Sequence, residues 1–184
     1  RINITKSGVE NSPIVIRNYP EEKVILSGKR LSGNSADAGL INISNQKYIR
    51  IEGLEFADYS SKKQFGTIAA IMLRRSASNI EIVQNEIHDI RTLAPKHSTS
   101  ALGIAIYGTS PTNPMHNILI QGNHVHDLTL GFSESISLSG NVDGFRIEGN
   151  QVHDVDNIGI VVAGGYGTAC WESANSNNCD DSFD

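Results

Sequence analysis

Apolar and polar residues alternate along this chain in short bursts. "LINIS" from Leu40, "AIMLR" from Ala70, "GIAIYG" from Gly103, "SISLSG" from Ser135 and "IGIVVAGG" from Ile158 each set apolar side chains at about every second position. The first four are followed, after a corner, by "YIRIEGLEFADY" from Tyr48, "NIEIVQNEIHDI" from Asn79, "NILIQGNHVHDL" from Asn117 and "GFRIEGNQVHDV" from Gly144. Period two, β-branched residues and Gly or Asn at the corners predict short strands, and no useful length holds the 3.6-residue period of a helix. The pattern predicts an all-β chain.

The second set of segments repeats a motif at spacings of 31, 38 and 27 residues. A constant motif at an irregular period fits a solenoid, whose coils stack while loops absorb the differences in length. A propeller needs about four strands per blade joined by tight antiparallel turns, and those turn sequences are not here. In a parallel solenoid, equivalent residues stack about 4.8 Å apart along the axis. Asn85, Asn123 and Asn150 then form a ladder at the corner after the second strand, where amides can satisfy one another and the turn backbone. Ile87, Val125 and Val152 point inward, and His88, His126 and His153 form a surface column. Three such histidines span about 10 Å, too far for one zinc ion to use all three. Neighbours on a strand face opposite ways, so the aspartate after each histidine is not expected to orient it.

Composition narrows the partners. The net charge is −5, with 15 Lys and Arg spread thinly, so there is no basic stripe for nucleic acid or an anionic membrane. No apolar run is long enough to span a bilayer. Cys170 and Cys179 lie close together in a polar stretch, consistent with a local disulfide in an exported protein or with two free thiols, and their spacing is not that of a zinc site. Neither end carries an amphipathic capping helix, so residues 1–184 are expected to be a single β-helix domain inside a longer chain, whose open edges would favour end-to-end association.

Coils written as apolar strand, loop, "NIxIxGN" and "xVHDL" resemble the right-handed parallel β-helix of bacterial polysaccharide lyases and their relatives, over nearly the whole chain. The resemblance implies a single-stranded parallel β-helix of about six coils with loop insertions, secreted or at a bacterial surface, with an acidic polysaccharide as partner. The hydrolase branch is the poorer match: Asp180-Asp181 offers its Asp-Asp pair, without the accompanying Asn-Thr-Asp and Gly-His-Gly. The nearer likeness is to polysaccharide lyase family nine, the pectate lyase-like enzymes. By that likeness "HDVDNIGIVVAGG" supplies Asp156, and "NCDDSFD" supplies Asp180, Asp181 and Asp184, as ligands of a calcium ion. Carboxylates clustered without Lys or Arg repel one another unless a cation sits among them, although acidic loops of this composition also occur simply solvated.

The implied reaction is β-elimination on a uronic acid polymer. The family's base is a lysine beyond the calcium cluster, and this sequence stops at Asp184, so no catalytic base is assigned. Lys62, Lys63 and Lys96 fall in loops of earlier coils; Arg74 and Arg75 read as a strand-end pair that is either solvated or in contact with a sugar carboxylate. The inserts 92–100 and 108–117 are expected to wall the sugar groove. The alternative is a non-catalytic surface, adhesive or fibre-forming β-helix.

Overall fold

The computed structural model describes residues 1–31, 38–95 and 98–164, which contain eighteen strands and no helix. The strands recur in a fixed order as the chain winds. β1 (Ile2–Ile4), β2 (Ile14–Arg17) and β3 (Ile25–Ser27) are followed by β4 (Ala38–Ser44), β5 (Lys47–Glu52), β6 (Glu55–Ala57) and β7 (Tyr59–Ser61). Next come β8 (Thr67–Arg74), β9 (Ser78–Val83), β10 (Glu86–His88) and β11 (Ile90–Thr92), then β12 (Ser100–Gly108), β13 (Ile118–Gln121) and β14 (His124–Leu128). β15 (Glu134–Gly140), β16 (Phe145–Glu148), β17 (Gln151–Val155) and β18 (Ile158–Ala163) complete the order.

Every named strand pairs in parallel with its equivalent one coil away. The first sheet runs β1-β4-β8-β12-β15-β18, the second β2-β5-β9-β13-β16, the third β3-β6-β10-β14-β17, and β7 pairs with β11 in a small fourth. The result is the parallel β-solenoid expected. Its winding falls short of six coils, because only the first sheet reaches six strands and the second and third stop at five.

The alternation read from the sequence builds the interior. Ile41, Ile71, Ile104 and Ile136 align in one inward row, and Ile43, Leu73, Ile106 and Leu138 in the next. Ile51, Ile82 and Ile120 line the second sheet, while Phe56, Ile87 and Val125 line the third. All are fully or nearly fully buried. Stacking like on like lets β-branched side chains pack against their own copies, and burial of each contributes about 1.5–3 kcal/mol. On the outer side of the first sheet, Ala69, Met72, Leu102, Ala105 and Tyr107 make a second buried apolar cluster across β8 and β12, while the same rows carry Asn42 on β4 and Ser137 on β15.

Sharp corners let the strands turn between sheets. They sit in the left-handed backbone region, with rows at Tyr48, Asn79, Asn117 and Gly144, at Gly53, Gln84, Gly122 and Gly149, and at Asp58, Asp89, Asp127 and Asp154. Gly, Asn and Asp tolerate this region best, which is why the motif places them there.

The asparagine ladder follows the second row of corners. Asn85 donates from Nδ2 to Asn123 Oδ1 at 3.0 Å, and Asn123 donates to Asn150 Oδ1 at 2.9 Å. The same oxygens accept the backbone N–H of the preceding coil's asparagine, at 3.0 and 2.9 Å. Each amide also donates to a carbonyl, Asn85 to Ile51, Asn123 to Ile82 and Asn150 to Ile120. In the earliest copy Leu54 replaces asparagine, and its N–H still donates to Asn85 Oδ1.

Replacing buried Asn123 strips the Asn85 amide and the Ile82 carbonyl of partners. Asn123→Ala is therefore expected to cost about 3 kcal/mol, against under about 0.5 kcal/mol for exposed Gln121→Ala, read as the shift in urea midpoint.

Candidate functional site on the histidine face

Register on the third sheet brings chemistry-bearing side chains to its outer side. Glu55, Glu86, His124 and Gln151 occupy one row, and His88, His126 and His153 the row two residues along. The histidine column forms as the pattern predicted. The rings of His88 and His126 stack at 5.2 Å and 12°, and those of His126 and His153 at 5.3 Å and 8°. His88 and His126 are largely covered, at 20% and 15% side-chain exposure, while His153 is half exposed at 49%.

The aspartates behave differently from expectation. His88, His126 and His153 each hold the next residue's carboxylate, Asp89, Asp127 and Asp154, at 2.7 Å from Nδ1 to Oδ2. The strand alternation invoked against such pairs ends at the aspartate itself. Asp89, Asp127 and Asp154 have φ of 54°, 53° and 50°, and this left-handed turn swings each carboxylate back beside the preceding imidazole. The signal was in the sequence: Asp is one of the few side chains that tolerates this conformation, and it follows the histidine three times. A carboxylate only accepts, so Nδ1 carries the proton in each pair and Nε2 keeps a lone pair whenever the ring is neutral.

Surroundings distinguish the copies. His88 Nε2 lies 3.1 Å from Glu55 Oε1, and Glu55 Oε2 pairs with Lys23. Burial, the largest single influence, would lower the pKa of His88, but the bonds to Asp89 and Glu55 outweigh it and raise it above the ordinary value. Asp89 is held low first by Arg91 and then by His88. His126 Nε2 instead lies 3.6 Å from Glu86 Oε1, beyond hydrogen-bond range.

His124 is the residue sequence reasoning missed. It stands two positions before His126 in "HVHDL", so both project from the same side of β14. Its ring tilts by 33° against His126 at 4.2 Å, and its Nε2 lies 2.7 Å from Nε2 of His153. Burial first, then the neighbouring His126 and His153, lower its pKa. The three-fold "HD" repeat drew attention to the column and away from the extra histidine in one copy. Chemically, an imidazole with Nδ1 anchored on a carboxylate can exchange a proton at Nε2 or offer that lone pair to a metal.

Of the four aspartates assigned to calcium, Asp156 lies in the turn after β17, where its Oδ1 accepts the Leu130 N–H at 2.7 Å. Asp180, Asp181 and Asp184 lie outside the described residues, as do Lys96, Cys170 and Cys179. Arg74 donates from Nε to Met72 Sδ at 3.3 Å and sits 5.9 Å over the Tyr107 ring, tied to the outer apolar cluster. The Arg75 N–H donates to Thr109 Oγ1.

A groove of about 530 Å³ follows the outside of the second sheet across β5, β9, β13 and β16, lined by Tyr48, Arg50, Glu81, Asn117, Phe145 and Arg146. Of the inserts expected to wall a sugar groove, 108–117 reaches it through Asn117, and none of the described residues of 92–100 lines it. Arg50 is held by Glu52 at 2.8 Å and by Glu81, while Arg146 is exposed.

No protein-family model matches the chain, and no solved structure matches it. It is similar to the uncharacterized protein YwoF of Bacillus subtilis (strain 168), with 39% identity over 168 residues, 91% of this chain. The chain spans 35% of the length of that relative.

In long-range proton–nitrogen NMR spectra at a pH where the rings are neutral, His88, His126 and His153 are expected to show the Nδ1–H form. Asp127→Asn should shift only His126 toward the Nε2–H form, since an amide can donate to Nδ1. An unchanged His126 signal in that variant would show that the carboxylate does not set the tautomer.

Proposed function

We propose that this chain is the carbohydrate-binding β-helix of a longer, polysaccharide lyase-like protein, secreted or held at a bacterial surface, that acts on a uronic acid polymer by calcium-assisted β-elimination. The observation that carries the reading is the groove crossing four successive coils on the second sheet. Four coils span about 14 Å, room for several sugar units laid along the axis. Its lining pairs Tyr48, whose ring can cover a sugar face, with Arg146, whose fork suits a uronate carboxylate.

Asp156, the proposed ligand that lies among the described residues, suits calcium: a carboxylate with one oxygen fixed by the Leu130 amide matches the common habit of metal-bound carboxylates. Asp156 with Asp180, Asp181 and Asp184 would hold the ion by an all-oxygen set. Bound there, it would neutralise the uronate carboxylate and so acidify the C5 proton. The groove residues would hold a separate stretch of the polymer, on the second sheet rather than at the Asp156 corner between the third and first sheets, Arg146 by its charge and Asn117 by its amide.

Full-length protein given calcium and pectate, alginate or a glycosaminoglycan is expected to release unsaturated uronides, seen by ultraviolet absorbance. Changing Asp180 and Asp181 together to Asn should abolish both that release and the calcium heat in isothermal titration calorimetry. Arg146→Ala should weaken polymer binding about tenfold, the loss of one charge-assisted hydrogen bond. Polymer binding without cleavage would make this an adhesive or structural module, and neither binding nor cleavage would end the carbohydrate reading.

A further inference from the structure

The third sheet carries a donor cluster that the groove and the aspartates do not use. Glu86, His124 and His126 each present a ligand atom, and these atoms all lie within 4.8 Å of one another. The solenoid itself assembles the trio: Glu86 and His124 are register partners on β10 and β14, and His126 follows His124 on the same face.

Four further observations point to a metal. His126 Nε2 is shielded from solvent and has no hydrogen-bond partner, although Asp127 on Nδ1 leaves it a lone pair. Glu86 Oε1 faces that nitrogen at 3.6 Å, so with a neutral ring two acceptors confront each other. Two ligands of one tetrahedral zinc stand about 3.4 Å apart, from metal–ligand distances near 2.0–2.2 Å. The Asp127–His126 pair also reproduces the carboxylate–imidazole arrangement that orients metal-bound histidines. His124, finally, leaves the parallel stack of the column and tilts beside His126, while its Nε2 meets His153 Nε2 at 2.7 Å. Because Asp154 fixes the His153 proton on Nδ1, His124 is the donor in that contact, and its other ring nitrogen keeps a lone pair. The other oxygen of Glu86 is 3.9 Å from Lys23 Nζ, a contact that leaves Oε1 turned to the histidines.

We propose that Glu86, His124 and His126 form a binding site for a divalent transition metal ion of the zinc class, with Asp127 positioning His126. Two imidazoles and one carboxylate suit zinc and its neighbours rather than calcium, which takes oxygen ligands only. Three protein ligands leave a coordination position open toward solvent. The site rests on none of the groups invoked for polysaccharide cleavage.

The test is isothermal titration calorimetry of chelator-stripped full-length protein with zinc chloride, and separately with calcium chloride, with far-ultraviolet circular dichroism to confirm that each variant is folded. Native protein is expected to bind an equivalent of zinc that Glu86→Gln, His124→Ala and His126→Ala each remove. Asp127→Asn should weaken that equivalent about 10- to 100-fold, and His116→Ala should leave it unchanged. None of these changes should alter calcium binding, so failure here stays separate from failure of the lyase reading. Absence of zinc binding would overturn the proposal. So would zinc binding that survives Glu86→Gln and Asp127→Asn undiminished, since that would mark adsorption to a histidine-rich surface.

Discussion

Parallel pairing between equivalent strands of successive coils is the constraint on which everything else here depends. It fixes the axial step near 4.8 Å and forces each residue to lie over its counterpart. Once that holds, the fate of a side chain is decided by its place in the motif. An isoleucine over an isoleucine makes a core row, an asparagine over an asparagine makes a ladder, and a histidine over a histidine makes a stacked column. The surface is thereby written in rows, which is what an extended polymer laid along the axis can contact repeatedly.

The fold was largely legible because period-two alternation and a recurring corner motif report directly on stacking. The inward isoleucines, the ladder at Asn85, Asn123 and Asn150, and the outward histidines follow from one assumption about register. The first coil was harder to read: "ILS" at β3 is too short to carry an alternation of its own, and it is a strand because β6 lies beside it. The small β7 and β11 pair escaped for the same reason, since a three-residue strand is defined by its partner more than by its sequence.

The chemistry was less legible, for reasons that are geometric. Alternation describes the strand but not the residue that ends it, so the swing of Asp89, Asp127 and Asp154 back toward their histidines required the left-handed corner to be known. Nor does a repeat show where copies differ. Glu86 and His124 occupy the same motif position, and their difference in identity creates a mixed donor set only because register sets them side by side. The groove on the second sheet likewise depends on which outward rows stay open, and the length of a loop insert does not determine that.

The asparagine ladder has a direction. Between asparagines every bond runs toward the later coil, Asn85 to Asn123 and Asn123 to Asn150, from side-chain amide and backbone N–H alike, while each side-chain amide also donates back to a carbonyl of the earlier coil. A head-to-tail file of amides adds its dipoles, and each bond polarises the next, so the rungs strengthen one another rather than acting singly. Coil-to-coil attachment is therefore cooperative at this corner, and Asn85 and Asn123 each clamp their own coil to the one before and the one after.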